Sequence, residues 1–171
     1  MRIFTIGHST RTTEQFTSIL KTYDVTVLVD VRSFPRSRTN PQFNQDTIES
    51  RLGQKGVRYA WMQGLGGRRK PLGRESKNTC WRNSSFRNYA DYMETDEFKN
   101  SIKQLIALAE TEHVAVMCAE ALYWRCHRSM IADYLKYQGA EVTHILGETH
   151  SQEHKYSECV KVIDGVFAYH D

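Results

Sequence analysis

The chain has 171 residues, of which 40 % are hydrophobic and 25 % charged, and its formal net charge is +3. This composition is typical of a folded globular protein and excludes a disordered, collagen-like or linker-like chain. No apolar run approaches the roughly 20 residues that a membrane-spanning helix needs, and the first residues lack the apolar stretch of a signal peptide. We therefore expect one domain, residues 1–171, located in the cytoplasm and not associated with a membrane.

The first part of the chain predicts a strand, a helix and a second strand, which is a βαβ unit. The run Ile3–Ile6 is rich in β-forming residues, and Thr12 with Gln15 forms a T-x-x-Q capping box that begins a helix. The nearly continuous β-branched run Val25–Arg32 is typical of a strand buried on both faces of a parallel sheet. A weaker helix is predicted at 45–52, and a strand follows at 57–61.

Residues 64–88 show no periodicity and are predicted to form a basic loop. Its seven basic residues against one acid, Glu75, are Arg68, Arg69, Lys70, Arg74, Lys77, Arg82 and Arg87. A loop of this length within a domain is usually functional or disordered. Basic side chains neutralise phosphates, and aromatic side chains stack on exposed bases. The aromatic residues in and beside the loop that would serve in this way are Trp61, Trp81, Phe86 and Tyr89. The loop therefore predicts a phosphate-bearing small molecule or a nucleic acid as the partner.

The rest of the chain continues the alternation of helices and strands. A helix is predicted near 98–112, a strand at 114–118, a helix around 130–135 and a strand at 142–146. The Asp164-Gly165 pair between two β-rich runs favours a type I′ hairpin. The predicted fold is α/β, a single three-layer domain with a mainly parallel, Rossmann-like sheet and a C-terminal β-hairpin.

Reactive side chains surround the loop that follows the predicted strand at 114–118. Cys118 and Glu120 lie at the carboxyl end of the strand, while Cys126, His127 and Arg128 lie where the next helix begins. Ligands of open α/β sheets bind at this edge, and helix N-termini favour anions and thiolates. This region therefore predicts acid–base or thiolate chemistry on an anionic substrate.

Polar residues also follow the first two predicted strands, and the carboxyl ends of parallel strands share one crevice. His8 follows the first strand, whereas Asp30 and Arg32 end the second. Glu120, or alternatively an ionised Cys118, is predicted to be the nucleophile or general base. Asp30 is predicted to orient a neighbouring group, and His8 and His127 are the candidate acids. Arg32 and Arg128 are predicted to bind the anion. The alternative is structural: Asp30 and Arg32 form an ion pair, His8 caps a loop and Cys118 packs in the core.

Several motifs in the same order resemble the domain-of-unknown-function family 488 over nearly the whole chain. The matching residues are Ile6-Gly7-His8-Ser9, Val29-Asp30-Val31-Arg32, Pro35, Ser37, Phe43, Leu65-Gly66-Gly67, Tyr89, Met93, Cys118-Ala119-Glu120 and Cys126-His127-Arg128-Ser129. The resemblance implies that these positions form one site, without naming an activity. With the basic loop, it leads to the predicted substrate-binding residues Ser9, Arg32, Ser37, Gly66, Gly67, Arg68, Arg69, Tyr89, Cys126 and Arg128.

A weaker resemblance is to rhodanese-like sulfurtransferases and cysteine phosphatases, which also place Asp-Val-Arg after one strand and a cysteine after another. Phosphatases need C-x5-R, whereas Arg125 and Arg128 stand farther from Cys118 than that spacing allows. The resemblance therefore does not assign sulfur transfer or phosphate hydrolysis to this chain.

The remaining cysteine and histidine pattern indicates free thiols and no cofactor. Nothing points to secretion and the chain has no C-x-x-C pair, so all four cysteines, including Cys80 and Cys159, are expected to be reduced. The alternative of a metal site would use His144, His150 and His154, or else Cys118, Cys126 and His127.

The sequence thus predicts an enzyme that acts on an anionic, phosphate-bearing substrate such as a nucleotide or nucleic acid. One alternative is a non-catalytic nucleic-acid-binding module in which the cysteines only pack. A second is a thiol redox or metal-linked regulator.

Overall fold

The computed structural model describes residues 1–170, and a six-stranded sheet forms the centre of this part of the chain. The strands are β1 (Arg2–Gly7), β2 (Val27–Asp30), β3 (Arg58–Trp61), β4 (Val114–Cys118), β5 (Glu141–Ile145) and β6 (Ser151–Glu153). Their order across the sheet is β3-β2-β4-β1-β5-β6. The first five are parallel and β6 pairs antiparallel with β5, which confirms the mainly parallel α/β class. The order departs from the 3-2-1-4-5-6 order of a dinucleotide-binding Rossmann sheet because β4 lies between β2 and β1.

Helices pack on both faces of the sheet, so the fold has three layers. Within residues 1–170 the α-helices are α1 (Thr13–Thr22), α2 (Gln45–Gly53), α3 (Ser84–Met93), α4 (Asp96–Ala109) and α5 (Arg128–Tyr137). Phe16 of α1 and Leu52 of α2 belong to the apolar cluster on one face. Tyr89 of α3, Phe98 of α4 and Ile131 of α5 belong to the cluster on the other. The apolar residues of the strands alternate between the two clusters, as the two-residue repeat of a strand requires.

Local sequence signals correctly place several elements. The predicted capping box begins α1, since the Thr12 hydroxyl accepts from the Gln15 N–H and the Gln15 side chain accepts from the Thr12 N–H. The predicted hairpin is formed by β7 (Lys161–Ile163) and β8 (Val166–Ala168). Its turn residues Asp164 and Gly165 have φ of 50° and 77°, as a type I′ turn requires.

Two predictions about the segment 64–88 and the cysteines are wrong. Helix α3 begins at Ser84, inside the segment predicted to be a loop, because the Asn83 side chain caps its first N–H groups. Cys80 and Cys159 form a disulfide, whereas Cys118 and Cys126 are free thiols. The prediction failed for Cys80 and Cys159 because 79 positions separate them in sequence and only the fold brings them together.

The topology creates a crevice at the carboxyl edge of β1 and β4. From β1 the chain moves towards β2 and β3, with α1 and α2 on one face. From β4 it moves the other way to β5, and α5 packs on the opposite face. The two connections leave the neighbouring strands β1 and β4 on opposite faces of the sheet, and in open α/β sheets such a change of face leaves room for a ligand beyond the strand ends.

Other findings bear on the predictions outside the sheet. None of the helices found between residues 1 and 170 is both long and apolar enough to cross a membrane. Residue 171, which completes the predicted domain, lies outside the described part of the chain.

Candidate active site

A cavity of about 640 Å³ opens at the crevice beside β1 and β4. Ten of the predicted site residues line it: His8, Arg32, Ser37, Gly67, Arg68, Tyr89, Cys118, Glu120, Cys126 and His127. Five predicted site residues do not: Ser9, Asp30, Gly66, Arg69 and Arg128. The fold therefore brings His8, His127, the two free cysteines and Glu120 to one place, as the convergence of parallel strand ends predicts.

The two free cysteines and His127 form a chain of close contacts on the cavity wall. Cys126 Sγ lies 2.8 Å from Cys118 Sγ and 3.3 Å from His127 Nδ1. His127 Nε2 lies 3.1 Å from the Val31 carbonyl oxygen. A carbonyl only accepts, so Nε2 carries a proton and Nδ1 is the ring atom that takes the proton of Cys126. The arrangement supports a thiolate–imidazolium pair with Cys118 as a further donor to the thiolate.

The surroundings shift the pKa values of the Cys118 and Cys126 thiols in opposite directions. Burial, together with the neighbouring Cys126, raises the pKa of the Cys118 thiol well above its ordinary value. Burial also opposes ionisation of Cys126, but the hydrogen bond from Cys118 and the positive charges of His127 and Arg128 outweigh it and hold the pKa of Cys126 well below its ordinary value. The geometry thus favours Cys126 as the thiolate and Cys118 as the neutral thiol, which reverses the sequence-based expectation for Cys118.

Arg128 is a buried cation beside this pair. Only 1 % of its surface is exposed. Its Nη2 donates to the backbone carbonyls of Glu120 and Ala121, and its buried Nε has no hydrogen-bond partner. No carboxylate of residues 1–170 forms an ion pair with it. Arg128 therefore holds the loop after β4 instead of entering the cavity, and its uncompensated charge favours a thiolate at Cys126.

Asp30, Arg32 and His8 form a second buried group. Arg32 donates to both carboxylate oxygens of Asp30, with Nε–Oδ1 at 2.9 Å and Nη2–Oδ2 at 2.6 Å, and Tyr59 donates to Oδ2. His8 Nδ1 donates to the Ser9 carbonyl, and Nε2 faces Arg32 Nη1 at 3.4 Å. Asp30 is fully buried and lies behind the cavity wall, which favours the structural ion pair over a catalytic role.

His8 is held as a neutral imidazole. Burial lowers the pKa of His8 to about 4, and the positive charge of Arg32 acts in the same direction. The ring also stacks on Phe43, with the centroids 4.2 Å apart. A ring that is neutral near pH 7, with Nε2 turned to Arg32, is poorly suited to the acid role predicted from the sequence. The geometry favours His8 as a residue that positions Arg32.

The cavity wall is strongly basic. Four arginines, Arg32, Arg36, Arg68 and Arg125, line it, and Glu120 is the one carboxylate among its described lining residues. Its rim includes an aromatic side chain, because Phe34 is 64 % exposed and the Arg68 guanidinium lies 5.7 Å from the Phe34 ring centroid. A neighbouring groove of about 580 Å³ shares Arg68 with this wall. The two cavities present a continuous basic surface.

Several lining residues were not among the predicted site residues: Ser33, Phe34, Arg36, Asn83, Ser85, Phe86, Ala119 and Arg125. Arg36 lies between Pro35 and Ser37, and Arg125 directly precedes Cys126. Their position next to residues of the family pattern is the sequence feature that could have indicated them. Asn83 and Ser85 reach the cavity through the start of α3, where the sequence shows no helical periodicity.

The three remaining predicted residues, and the proposed histidine metal site, have other surroundings. Ser9 donates its backbone N–H to the Ala119 carbonyl, and Arg69 donates to the carbonyls of Gly66 and Gln63. His144 Nε2 lies 2.9 Å from His154 Nδ1, so these rings bond each other. In the described chain no three His, Cys, Asp or Glu side chains are placed to hold a metal ion.

Gly67 sets the position of the His127 ring. A Cβ atom added at Gly67 would lie 2.4 Å from His127 Nδ1 and 2.7 Å from Cγ. We expect Gly67→Ala to push the imidazole away from Cys126 and to lower the free energy of unfolding by about 1–3 kcal/mol, as overpacking usually does. Urea unfolding and the alkylation rate of Cys126 measure the two effects.

Gly53→Ala is the matched control, because a Cβ there meets nothing within 4 Å and the residue ends a helix. Equal stability and equal Cys126 reactivity in the two variants would show that Gly67 does not position His127.

Comparison with known proteins identifies the family. The family described as "Domain of unknown function DUF488" matches residues 12–135, a span that includes β2, β3, β4 and most of α5. Comparison with the curated proteins and with the solved structures found no match. The matched span also contains every lining residue of the cavity except His8. The chain therefore belongs to the DUF488 family.

Proposed function

We propose that this protein is an enzyme that binds an anionic, phosphate-bearing substrate in the basic cavity and attacks it with the Cys126 thiolate. The observation that carries the proposal is the position of Cys126 Sγ, 2.8 Å from the Cys118 thiol and 3.3 Å from His127 Nδ1, on the wall of an arginine-lined cavity. A thiolate that has a proton acceptor and a hydrogen-bond donor beside it is the usual form of an activated cysteine nucleophile.

Charge and shape support the substrate class. Arg36, Arg68 and Arg125, the wall arginines outside the Asp30–Arg32 ion pair, attract a phosphate and hold it by charge-assisted hydrogen bonds. Helices α3 and α5 both begin at the cavity, where Asn83 and His127 are their capping positions, and the partial positive charge of a helix N-terminus adds to the field. The exposed Phe34 ring offers a surface on which a base stacks. A nucleotide or an exposed nucleotide of a nucleic acid meets these requirements.

His127 and Glu120 can supply and accept the protons that a two-step hydrolysis requires. In the first step the bond from Cys126 Sγ to the electrophilic substrate atom forms while the bond to the leaving group breaks, and the leaving group takes the Nδ1 proton of His127. In the second step Glu120 accepts a proton from water, whose oxygen displaces Sγ and restores the thiolate. Glu120 is exposed and His127 is half-buried, so both regain their starting protonation by exchange with solvent.

Alkylation of the native protein tests the nucleophile and the charge preference together. We expect Cys126 to react with iodoacetamide with an apparent pKa below the 8.5 of an ordinary thiol, while Cys118 reacts far more slowly. The ratio of the alkylation rate with iodoacetate to the rate with iodoacetamide should be higher for Cys126 than for glutathione. The reason is that the arginines of the cavity attract the carboxylate of iodoacetate. Adenosine monophosphate should protect Cys126, and adenosine should protect it less.

Turnover is tested on a panel of nucleotides and short single-stranded DNA and RNA, with products identified by mass spectrometry. Product formation should be lost in Cys126→Ser. A Cys126 that titrates like glutathione and gains no protection from adenosine monophosphate would contradict the proposal. Salt-dependent binding of single-stranded DNA that survives Cys126→Ser, with no product from any substrate, would instead support a non-catalytic binding module.

A further inference from the structure

We infer that the Cys126–Cys118 pair is an oxidative modification site, at which a hydroperoxide converts the two thiols into a reversible disulfide. The inference goes beyond the proposed enzymatic function and does not depend on it. It rests on the close approach of two free cysteines that both line the cavity.

The geometry of the pair is close to that of a cross-link. The two sulfur atoms are 2.8 Å apart, and a disulfide bond needs about 2.05 Å. Cys118 ends β4, and the backbone of Cys126 is held by hydrogen bonds, since its N–H donates to the Tyr123 carbonyl and its carbonyl accepts from the Ser129 N–H. The two cysteines are 3 % and 8 % exposed, which shields them from large thiols, but the cavity gives a small oxidant a path to both. A sub-ångström movement of the sulfur atoms completes the bond.

The first step oxidises Cys126. The thiolate attacks one peroxide oxygen, an S–O bond forms as the O–O bond breaks, and the departing hydroxide takes the Nδ1 proton of His127 to leave as water. Cys126 is then a sulfenic acid, oxidised by two electrons, and the peroxide is reduced. His127 Nδ1 lies 3.3 Å from Cys126 Sγ, and the buried positive charge of Arg128 favours the attacking thiolate.

The second step consumes Cys118. Its sulfur attacks Cys126 Sγ, the S–S bond forms as the S–O bond breaks, and the hydroxide leaves as water with the proton of Cys118. In sum, two thiols and one hydrogen peroxide give one disulfide and two waters. A small thiol reductant reverses the reaction by exchange. Cys118 thus acts as the resolving cysteine, and its sulfur becomes nucleophilic as its proton passes to the departing hydroxide.

The test oxidises the native protein, with the Cys80–Cys159 disulfide intact, by one molar equivalent of hydrogen peroxide. Tryptic cleavage after Arg125 separates the two cysteines into different peptides, so a disulfide between them appears as a linked pair on non-reducing mass spectrometry. We expect that pair as the main product, and its disappearance after dithiothreitol. In Cys118→Ser the reaction should stop at a Cys126 sulfenic acid that dimedone traps, and in Cys126→Ser dimedone should leave Cys118, the remaining free cysteine, unlabelled.

Two outcomes would overturn the inference: over-oxidation of Cys126 in the unmodified sequence without a linked peptide, or equal oxidation of Cys118 in Cys126→Ser. The proposed function is judged separately. If no disulfide forms, a low apparent pKa of Cys126 in alkylation and its protection by adenosine monophosphate would still support the proposed function. If the disulfide forms but Cys126 shows neither property, only the proposed function would be contradicted.

Discussion

Acidification from pH 7 to pH 5 is expected to lower the free energy of unfolding by about 4 kcal/mol through two buried histidines. Burial lowers the pKa of His8 to about 4 and that of His144 to about 3, from an ordinary value of 6.5. The unfolded chain therefore binds more protons below pH 6.5 than the folded protein. The stabilisation is complete above pH 6.5 and is lost as the pH falls, by about 1.4 kcal/mol per pH unit for each ring.

Urea unfolding at pH 7, 6 and 5 measures this loss. His144→Gln should reduce the pH dependence by about half, whatever its effect on stability at pH 7, because one of the two titrating rings is removed. His150→Gln is the matched control, since it makes the same substitution at a histidine that is exposed on the surface. A pH dependence that is the same in both variants would show that His144 is not one of the responsible groups.

Removal of the Cys80–Cys159 disulfide is expected to cost about 4 kcal/mol of stability. The cross-link spans 79 positions, and in the chain-entropy account a long closed loop restricts the unfolded chain most strongly. The double variant Cys80→Ser/Cys159→Ser should therefore unfold at a clearly lower urea concentration. The loss should extend to the cavity, because Cys80 lies just before the Asn83–Phe86 segment that lines it.

Thiol titration of the denatured, unreduced protein provides the control for this experiment. Two reactive thiols are expected, those of Cys118 and Cys126. Four reactive thiols would contradict the disulfide, and so would a double variant that unfolds at the urea concentration of the unmodified sequence.

Features encoded over a few residues were predictable. The run Val25–Arg32 contains β2, Thr12 caps α1, and Asp164-Gly165 forms the hairpin turn. Helix α3 was missed because only its second half carries the buried residues that pack on α4, and the first half shares the polar character of the basic segment. Its cap at Asn83 was the one local signal.

The candidate site was predictable as a location and not as a set of roles. Parallel strands place His8, Cys118 and Glu120 at one edge, and this follows from strand order alone. Which cysteine ionises depends on distances of a few ångströms between Cys126, Cys118 and His127, which spacing along the chain does not fix. Arg128 was expected in the cavity, yet the carbonyls after β4 turn its side chain inward.

The central place of β1 in the sheet has a consequence for synthesis. β1 is flanked by β4 and β5, so its buried residues Ile3 and Ile6 have no sheet partner until those strands exist. At ribosomal rates of about 5–20 residues per second, the roughly 110 residues between β1 and β4 take on the order of 5–20 s. This central strand is thus synthesised before its partners β4 and β5 and pairs late, which leaves an apolar segment exposed to chaperones on the nascent chain.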